Sequence, residues 1–139
     1  MLKKYLTAAI VAFLVIFNIG FLFHDILLGN WFANQLSGIA REHYIIPLIG
    51  VSYLIYMLIA AYIYPAFYSY YKLSVLKSGI LFGALMGIMY DFLEGGIIEY
   101  ATLKIPFSAI IVDSSYHFFE GILAGVIIAL IYGKIPRKN

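Results

Sequence analysis

Four long apolar stretches, separated by short polar intervals, dominate the pattern of this 139-residue chain. They cover residues 5–28, 44–65, 79–103 and 108–132. Each is long enough to cross a bilayer, because about 20 mainly apolar residues span roughly 30 Å of hydrocarbon as a helix. Lipid offers no partner to exposed backbone groups, so such a segment must pair them within itself. The pattern therefore predicts an all-α bundle of four transmembrane helices, forming a single integral membrane domain over residues 1–139.

Basic residues are distributed unevenly among the intervals. Seven of the nine Lys and Arg residues lie before the first stretch, between the second and third, or after the fourth: Lys3, Lys4, Lys72, Lys77, Lys134, Arg137 and Lys138. The opposite loops hold only Arg41 and Lys104. Cations favour cytoplasmic loops, so we expect both termini and the middle loop to be cytoplasmic. No small-x-small cleavage site follows the first apolar run, so we expect a retained anchor rather than a secretory signal peptide.

The composition agrees with a membrane protein and excludes several other classes. Apolar residues make up 64% of the chain and charged residues 12%, whereas soluble domains carry about 25% charged residues. There is no cysteine, which excludes disulfides, thiolate metal sites and iron–sulfur clusters. The net charge is only +2, and no basic cluster is interleaved with aromatic residues, so nucleic-acid binding is not expected. The lipid bilayer is the expected partner.

Five acidic or histidine residues lie deep within the third and fourth stretches, where charge is costly. They are Asp91, Glu94, Asp113, His117 and Glu120. An acid at the centre of a spanning helix costs on the order of 3 kcal/mol on insertion scales. We therefore expect these side chains to face protein or trapped water, and they form the predicted proton- or cation-binding cluster.

Residues of the third and fourth helices can be paired by their depth in the membrane, which is counted in residues from the connecting turn (depth counting). With residues 104–107 as the turn of an antiparallel hairpin, the predicted pairs are Asp91 with Glu120, Glu94 with His117, and Glu99 with Asp113. The same faces carry the small-xxx-small patterns Gly83-xxx-Gly87 and Gly121-xxx-Gly125. Such patterns let helix backbones approach closely. The sequence therefore predicts that the two helices pack with their polar residues facing each other.

Further polar residues on all spans reach similar depths at a rise of 1.5 Å per residue. Asn18, Tyr53 and Tyr56 are predicted near the level of the cluster. Three others lie nearer the outer boundary, namely His24, Asp25 and Glu99. We expect these six groups to support a polar core near mid-membrane that opens toward the outer face.

Several functions are compatible with this cluster. The sharpest hypothesis is a site for protons or a cation, used in transport, coupling or sensing, because Asp91 and Glu120 at one depth must share a proton or hold a cation. His117 beside Glu94 suits a proton relay. A purely structural role, in which these side chains only hydrogen-bond neighbouring helices, is the plainer alternative. A structural accessory subunit of a larger membrane complex is another, and the glycine patterns also suit a homo-oligomer.

The sequence supports a dimetal site, a haem site or an enzyme active site more weakly. Asp91-x-x-Glu94 and His117-x-x-Glu120 put two ligands on each of two helices, as in dimetal bundles, although those use two Glu-x-x-His pairs. A haem between His24 and His117 is disfavoured, because their depths differ by roughly 6 Å. No oxyanion donors are identifiable, so enzyme activity is not expected. The sequence therefore leaves the cofactor unknown: a bound cation is compatible with it, haem is disfavoured, and a metal- or haem-binding membrane protein stays an alternative.

Short motifs over most of the chain give it a resemblance to a family of small four-helix bacterial inner-membrane proteins of unknown function. These motifs are Asn30–Leu36, Tyr53 and Tyr56 followed by Tyr64-Pro65-Ala66, Gly83–Gly87 with Tyr90-Asp91, Ala101–Lys104, Pro106 and Val112-Asp113. The sequence departs from the family pattern in two places. The segment of residues 92–100 is longer and more acidic than the corresponding segment of the family, and no Trp precedes Pro106. The resemblance implies four spans and an inner-membrane location, and no activity.

Overall fold

Four long helices and one short helix make up the computed structural model, which describes residues 2–41 and 43–135 apart from the side chains of Asp91, Phe92 and Glu94. The long helices are α1, Leu2–Leu27; α3, Ile46–Tyr71; α4, Val75–Thr102; and α5, Phe107–Tyr132. The short helix α2 covers Gly29–Gln35. No β-strand occurs in these described ranges. Each long helix is long and apolar enough to cross a membrane, which confirms the four predicted helices and supports a multi-pass membrane protein.

The four long helices alternate in direction through the bundle. Tyr5 and Phe17 of α1 contact Tyr62 and Tyr53 of α3 through their rings, with centroids 6.4 and 6.0 Å apart, in antiparallel order. The Lys4 ammonium donates to the carbonyl of Tyr132 at 2.7 Å, which joins the start of α1 to the end of α5. The described lysines of the predicted cytoplasmic side therefore lie at one end of the bundle, and the α1–α3 and α4–α5 connections lie at the other.

Small residues allow the helices to approach closely in the core. Helix α1 buries Ala8, Ala9 and Ala12 completely, and α3 and α5 bury Ala61 and Ala129 completely. Without a hydrophobic force between helices in lipid, such residues favour association by improving van der Waals contact. Larger apolar side chains instead cover the outside of the bundle, which suits a surface solvated by lipid.

Glycines bring α4 and α5 into backbone contact, as their small-xxx-small patterns predict. A Cβ added at Gly83 would collide with the carbonyl oxygen of Gly121, and one added at Gly121 would lie 2.9 Å from the Cα of Gly87. A Cβ added at Gly125 would lie 2.7 Å from the Cα of Gly83. The register differs from the prediction, because counting from the turn places Gly87 opposite Ala124 rather than Gly121. The level-by-level pairs predicted for this hairpin are displaced accordingly.

Two π-helical segments occur in the bundle, and the one in α4 contributes to the displaced register of α4 against α5. In α4 the residues Ile88–Ile98 form π-helix, and in α1 the residues Leu22–Leu27 do so. A π-turn closes i→i+5 hydrogen bonds and so holds more residues than an α-turn. Helix α4 therefore uses more residues than α5 to cover the same depth. Both segments lie at the end of the bundle away from the termini.

Helix α3 continues beyond the predicted end of its span. The second stretch was expected to end at Pro65, but the helix runs on to Tyr71 with Pro65 inside it. Proline has no N–H, so the carbonyl of Ala61 loses its usual donor. The Tyr132 hydroxyl donates to that carbonyl at 2.8 Å in a buried position. A neighbouring helix thus pairs the freed backbone group, as the bilayer interior requires.

Candidate functional site

Two histidines and one aspartate converge where α1 packs against α5. His24 lies in the π-helical segment of α1, and Asp113 and His117 lie one turn apart on α5. The Nε2 atom of His24 is 2.7 Å from Oδ1 of Asp113, and the Nε2 atom of His117 is 3.8 Å from the same oxygen. One ligand atom from each residue lies within 4.8 Å of the others. We call these three residues the His–Asp–His cluster.

The second nitrogen of each imidazole is held by an acceptor. Nδ1 of His24 donates to the carbonyl of Gly20 at 3.1 Å, four residues earlier on the same helix. Nδ1 of His117 donates to Oε2 of Glu120 at 2.7 Å. A carbonyl or carboxylate at Nδ1 fixes the ring orientation and the tautomer, which directs the lone pair of the neutral ring through Nε2. Both Nε2 atoms are thereby directed toward Asp113.

Glu120 is the buried centre of a second hydrogen-bond layer. Its Oε1 accepts from the Tyr116 hydroxyl at 2.7 Å, and the Tyr53 hydroxyl lies 3.5 Å from both carboxylate oxygens. A Cβ on Gly20 would lie 3.4 to 3.6 Å from these three polar groups, so Gly20 leaves the space in which they meet. The layer holds Glu120 in position, and Glu120 in turn holds the imidazole of His117.

Aromatic rings surround the His24 side chain. Its ring lies 4.9 Å from that of Tyr116, 5.2 Å from that of Phe32 and 5.0 Å from that of Phe23. The imidazoles of His24 and His117 are 5.5 Å apart and nearly parallel. Packing on several sides restricts the rotamers of these rings, so the cluster is preorganised by the fold.

A cavity of about 320 Å³ reaches the His–Asp–His cluster from the end of the bundle that holds the α1–α3 and α4–α5 connections. Its walls are mainly apolar, with Phe17, Phe32 and Ile110 among them, and all three cluster residues line it. Exposure decreases inward: the side chains of Asp113, His24, His117 and Glu120 are 36, 29, 13 and 7% exposed. Asp113 is thus presented to the cavity, and Glu120 lies behind it.

The structure brings some of the predicted site residues together and separates others. Asp113, His117 and Glu120 are in contact. The side chains of Asp91 and Glu94 lie outside the described residues, so their predicted membership stays a prediction. Asn18 does not join the cluster, because its side chain is exposed and donates to the carbonyl of Leu14 in its own helix at 2.7 Å.

The remaining supporting residues lie around the cluster in two groups. Asp25 and Glu99 line the cavity together with the three cluster residues. Tyr56 lies deeper, with its ring 4.6 Å from that of Tyr90. Both tyrosines line a small void that also contacts Glu120. They lie on the inner side of the carboxylate layer.

Sequence reasoning missed two roles. His24 was expected only to support the cluster from a shallower level, whereas its imidazole contacts Asp113 directly. Tyr116 was not singled out, although its spacing of four residues from Glu120 is the signal for a same-face contact. Counting residues along the helices placed His24 near the depth of Asp113, but it does not give the direction in which a side chain points, so the contact itself was not predicted.

The arrangement does not match a haem site. Axial imidazoles must approach the iron from opposite faces of a plane, whereas both Nε2 atoms here are directed at one carboxylate oxygen. The sequence also disfavoured haem, but on the ground that His24 and His117 are separated by roughly 6 Å in depth.

Comparisons of the chain with protein-family models, with curated proteins and with solved structures found no match in any of the three. The family resemblance of the short motifs therefore stays a prediction.

Proposed function

We propose that this chain is a multi-pass membrane protein that captures a cation at the His–Asp–His cluster. The observation that carries the proposal is the convergence of two imidazole Nε2 atoms on one Asp113 oxygen inside the helical bundle. An imidazole nitrogen and a carboxylate oxygen at 2.7 Å share a proton in a hydrogen bond, and a cation that binds both atoms would take the place of that proton. A bound cation would satisfy all three groups at once.

Access to the cluster supports capture rather than a purely structural role. Polar groups that only join helices need no opening, whereas here a cavity of about 320 Å³ leads to Asp113. Two further acidic residues, Asp25 and Glu99, also line the cavity. Ionisable residues inside a membrane protein that face a cavity commonly mark an ion pathway.

We further propose that the cavity opens on the outer face of a bacterial inner membrane. Lys3, Lys4, Lys72, Lys77 and Lys134 lie at the end of the bundle opposite the cavity. The excess of cations at that end favours a cytoplasmic position for the termini. The cation would then reach Asp113 from outside the cell, for uptake, coupling or sensing.

The test compares thermal unfolding of the chelator-treated protein in detergent with Na⁺, K⁺, Mg²⁺, Ca²⁺, Mn²⁺ or Zn²⁺ added. A cation at 100 times its Kd stabilises the folded state by about 2.7 kcal/mol. We expect at least one cation to raise the unfolding temperature of the parent. The rise should be lost in His24→Gln and Asp113→Asn and kept in His43→Gln, a matched control because His43 is an exposed loop histidine.

Three results would contradict the proposal. The first is a parent protein whose stability responds to no cation, and the second is a His24→Gln variant that responds as the parent does. The third is a parent whose stability responds to pH alone, which would favour the proton hypothesis. Purification only within a larger assembly, with no response to cations, would favour the accessory-subunit alternative.

A further inference from the structure

We infer that the captured cation is a first-row transition-metal ion of the Zn²⁺ type, bound by Nε2 of His24, Oδ1 of Asp113 and Nε2 of His117. This inference rests on the proposed function and names the class of ion. It excludes alkali and alkaline-earth ions as the preferred occupants. The ligands come from two helices, α1 and α5, so metal binding would also fasten these helices together.

The two distances from Asp113 Oδ1 to the imidazole nitrogens suit a small ion. Zn–N and Zn–O bonds are about 2.0–2.2 Å long, so ligand atoms around a tetrahedral ion are separated by roughly 3.3 Å. The separations from Asp113 Oδ1, 2.7 Å to His24 and 3.8 Å to His117, lie on either side of this value. To reach it, the first separation must lengthen by about 0.6 Å and the second must shorten by about 0.5 Å. Ca²⁺ bonds of about 2.3–2.6 Å and six to eight oxygen ligands demand a larger shell.

The donor types also favour a transition metal. Two imidazoles with one carboxylate form the set that holds catalytic zinc and non-haem iron, whereas Mg²⁺ and Ca²⁺ take oxygen ligands almost alone. There is no cysteine, so ions that require thiolate are not favoured. Among the described residues no other group of three histidine or acidic side chains converges in this way.

The hydrogen bonds behind the ligands match those of metal sites. Metal-bound histidine normally donates its other N–H to a carboxylate or backbone carbonyl. His117 donates to Glu120 at 2.7 Å and His24 donates to the carbonyl of Gly20 at 3.1 Å. Glu120 is therefore a positioning residue, because it acts through His117 and is itself held by Tyr116.

Three protein ligands leave coordination positions for water or for a group that enters through the cavity. The cavity wall contains all three ligands, so these positions would face it. A structural zinc site has four protein ligands, whereas an exchangeable or reactive site keeps a position open. The inferred ion is thus one that can be loaded and exchanged from the cavity side.

The experiment uses Co²⁺ as a spectroscopic probe of the purified chelator-treated protein in detergent. We expect one Co²⁺ per chain with the d–d absorption bands of a low-coordinate site, displaced by one equivalent of Zn²⁺ and kept in excess Mg²⁺ or Ca²⁺. His24→Gln and Asp113→Asn should lose at least tenfold in affinity, together with the bands. His43→Gln should bind as the parent does. Circular dichroism verifies that each variant is folded.

Glu120→Gln separates a positioning role from ligation. Loss of the hydrogen-bond partner of a metal-bound histidine lowers metal affinity about 10- to 100-fold, so this variant should bind Co²⁺ more weakly while its bands keep their positions. Bands that persist unchanged in Asp113→Asn would overturn the inferred ligand set. If Na⁺ or Ca²⁺ stabilises the protein through His24 and Asp113 while Co²⁺ gives no bands, the inference fails and the proposed function stands. If no cation stabilises it, both fail.

Discussion

Replacement of Gly83 by alanine tests the backbone contact between α4 and α5. The added Cβ would collide with the carbonyl oxygen of Gly121 and lie 2.7 Å from the Cα of Ile122, where ordinary contact begins at 3.4 Å. The facing backbone must therefore retreat by about 0.7 Å at Ile122, and it cannot rotate away as a side chain can. Overpacking of this kind costs about 1–3 kcal/mol, so we expect the free energy of unfolding to fall by that amount.

Gly50→Ala is the matched control for this prediction. A Cβ at Gly50 of α3 would meet only the ring of Phe17, at 3.6 and 3.8 Å, which is ordinary contact. This variant isolates the gain in helix propensity, up to about 1 kcal/mol, and should be as stable as the parent or slightly more stable. Unfolding by dodecyl sulfate in mixed micelles, followed by circular dichroism, measures both variants. A Gly83→Ala protein as stable as Gly50→Ala would mean that α4 and α5 are not in backbone contact.

Two further predictions concern α3 and the topology. Tyr132→Phe removes the donor to the Ala61 carbonyl and should lower the free energy of unfolding by about 1 kcal/mol. In a Pro65→Ala background an N–H again reaches that carbonyl, so the cost should shrink, and equal costs in both backgrounds would exclude the compensation. The chain has no cysteine, so single cysteines at Asn30 and Ser74 report topology unambiguously. An impermeant maleimide should label the first in intact cells and the second only after permeabilisation; the reverse pattern would invert the proposed orientation.

The number and approximate extent of the long helices were predictable because the thickness of the bilayer sets how many apolar residues a spanning helix needs. Apolar length identifies a spanning helix whatever its neighbours do. The end of α3 was not predictable in this way, since Pro65 normally ends a helix unless another group pairs the freed carbonyl. That group is the hydroxyl of Tyr132, which lies 71 residues after Ala61 along the chain. Tertiary contacts of this kind leave no local signal.

The site was predictable on α5 and less so elsewhere. The i, i+3 and i+4 spacings of Asp113, His117 and Glu120 fix a common face on a regular helix. The π-helical segments changed the relation of α1 and α4 to that face, because depth counting assumes 1.5 Å per residue throughout. The aspartate predicted to pair in depth with Glu99 contacts His24 of α1, a residue that the sequence placed near the same depth without giving the direction of its side chain. A π-turn depends on packing between helices and cannot be located from periodicity.

Anomalous diffraction from crystals grown with Zn²⁺, recorded on both sides of the zinc absorption edge, locates the proposed ion without reference to any activity. We expect one peak per chain inside the bundle, about 2.0–2.2 Å from Nε2 of His24, Oδ1 of Asp113 and Nε2 of His117. Glu120 should lie behind His117 and outside bonding distance. A fully loaded crystal with no peak at these atoms, or with its peak at other side chains, would contradict cation capture at the cluster.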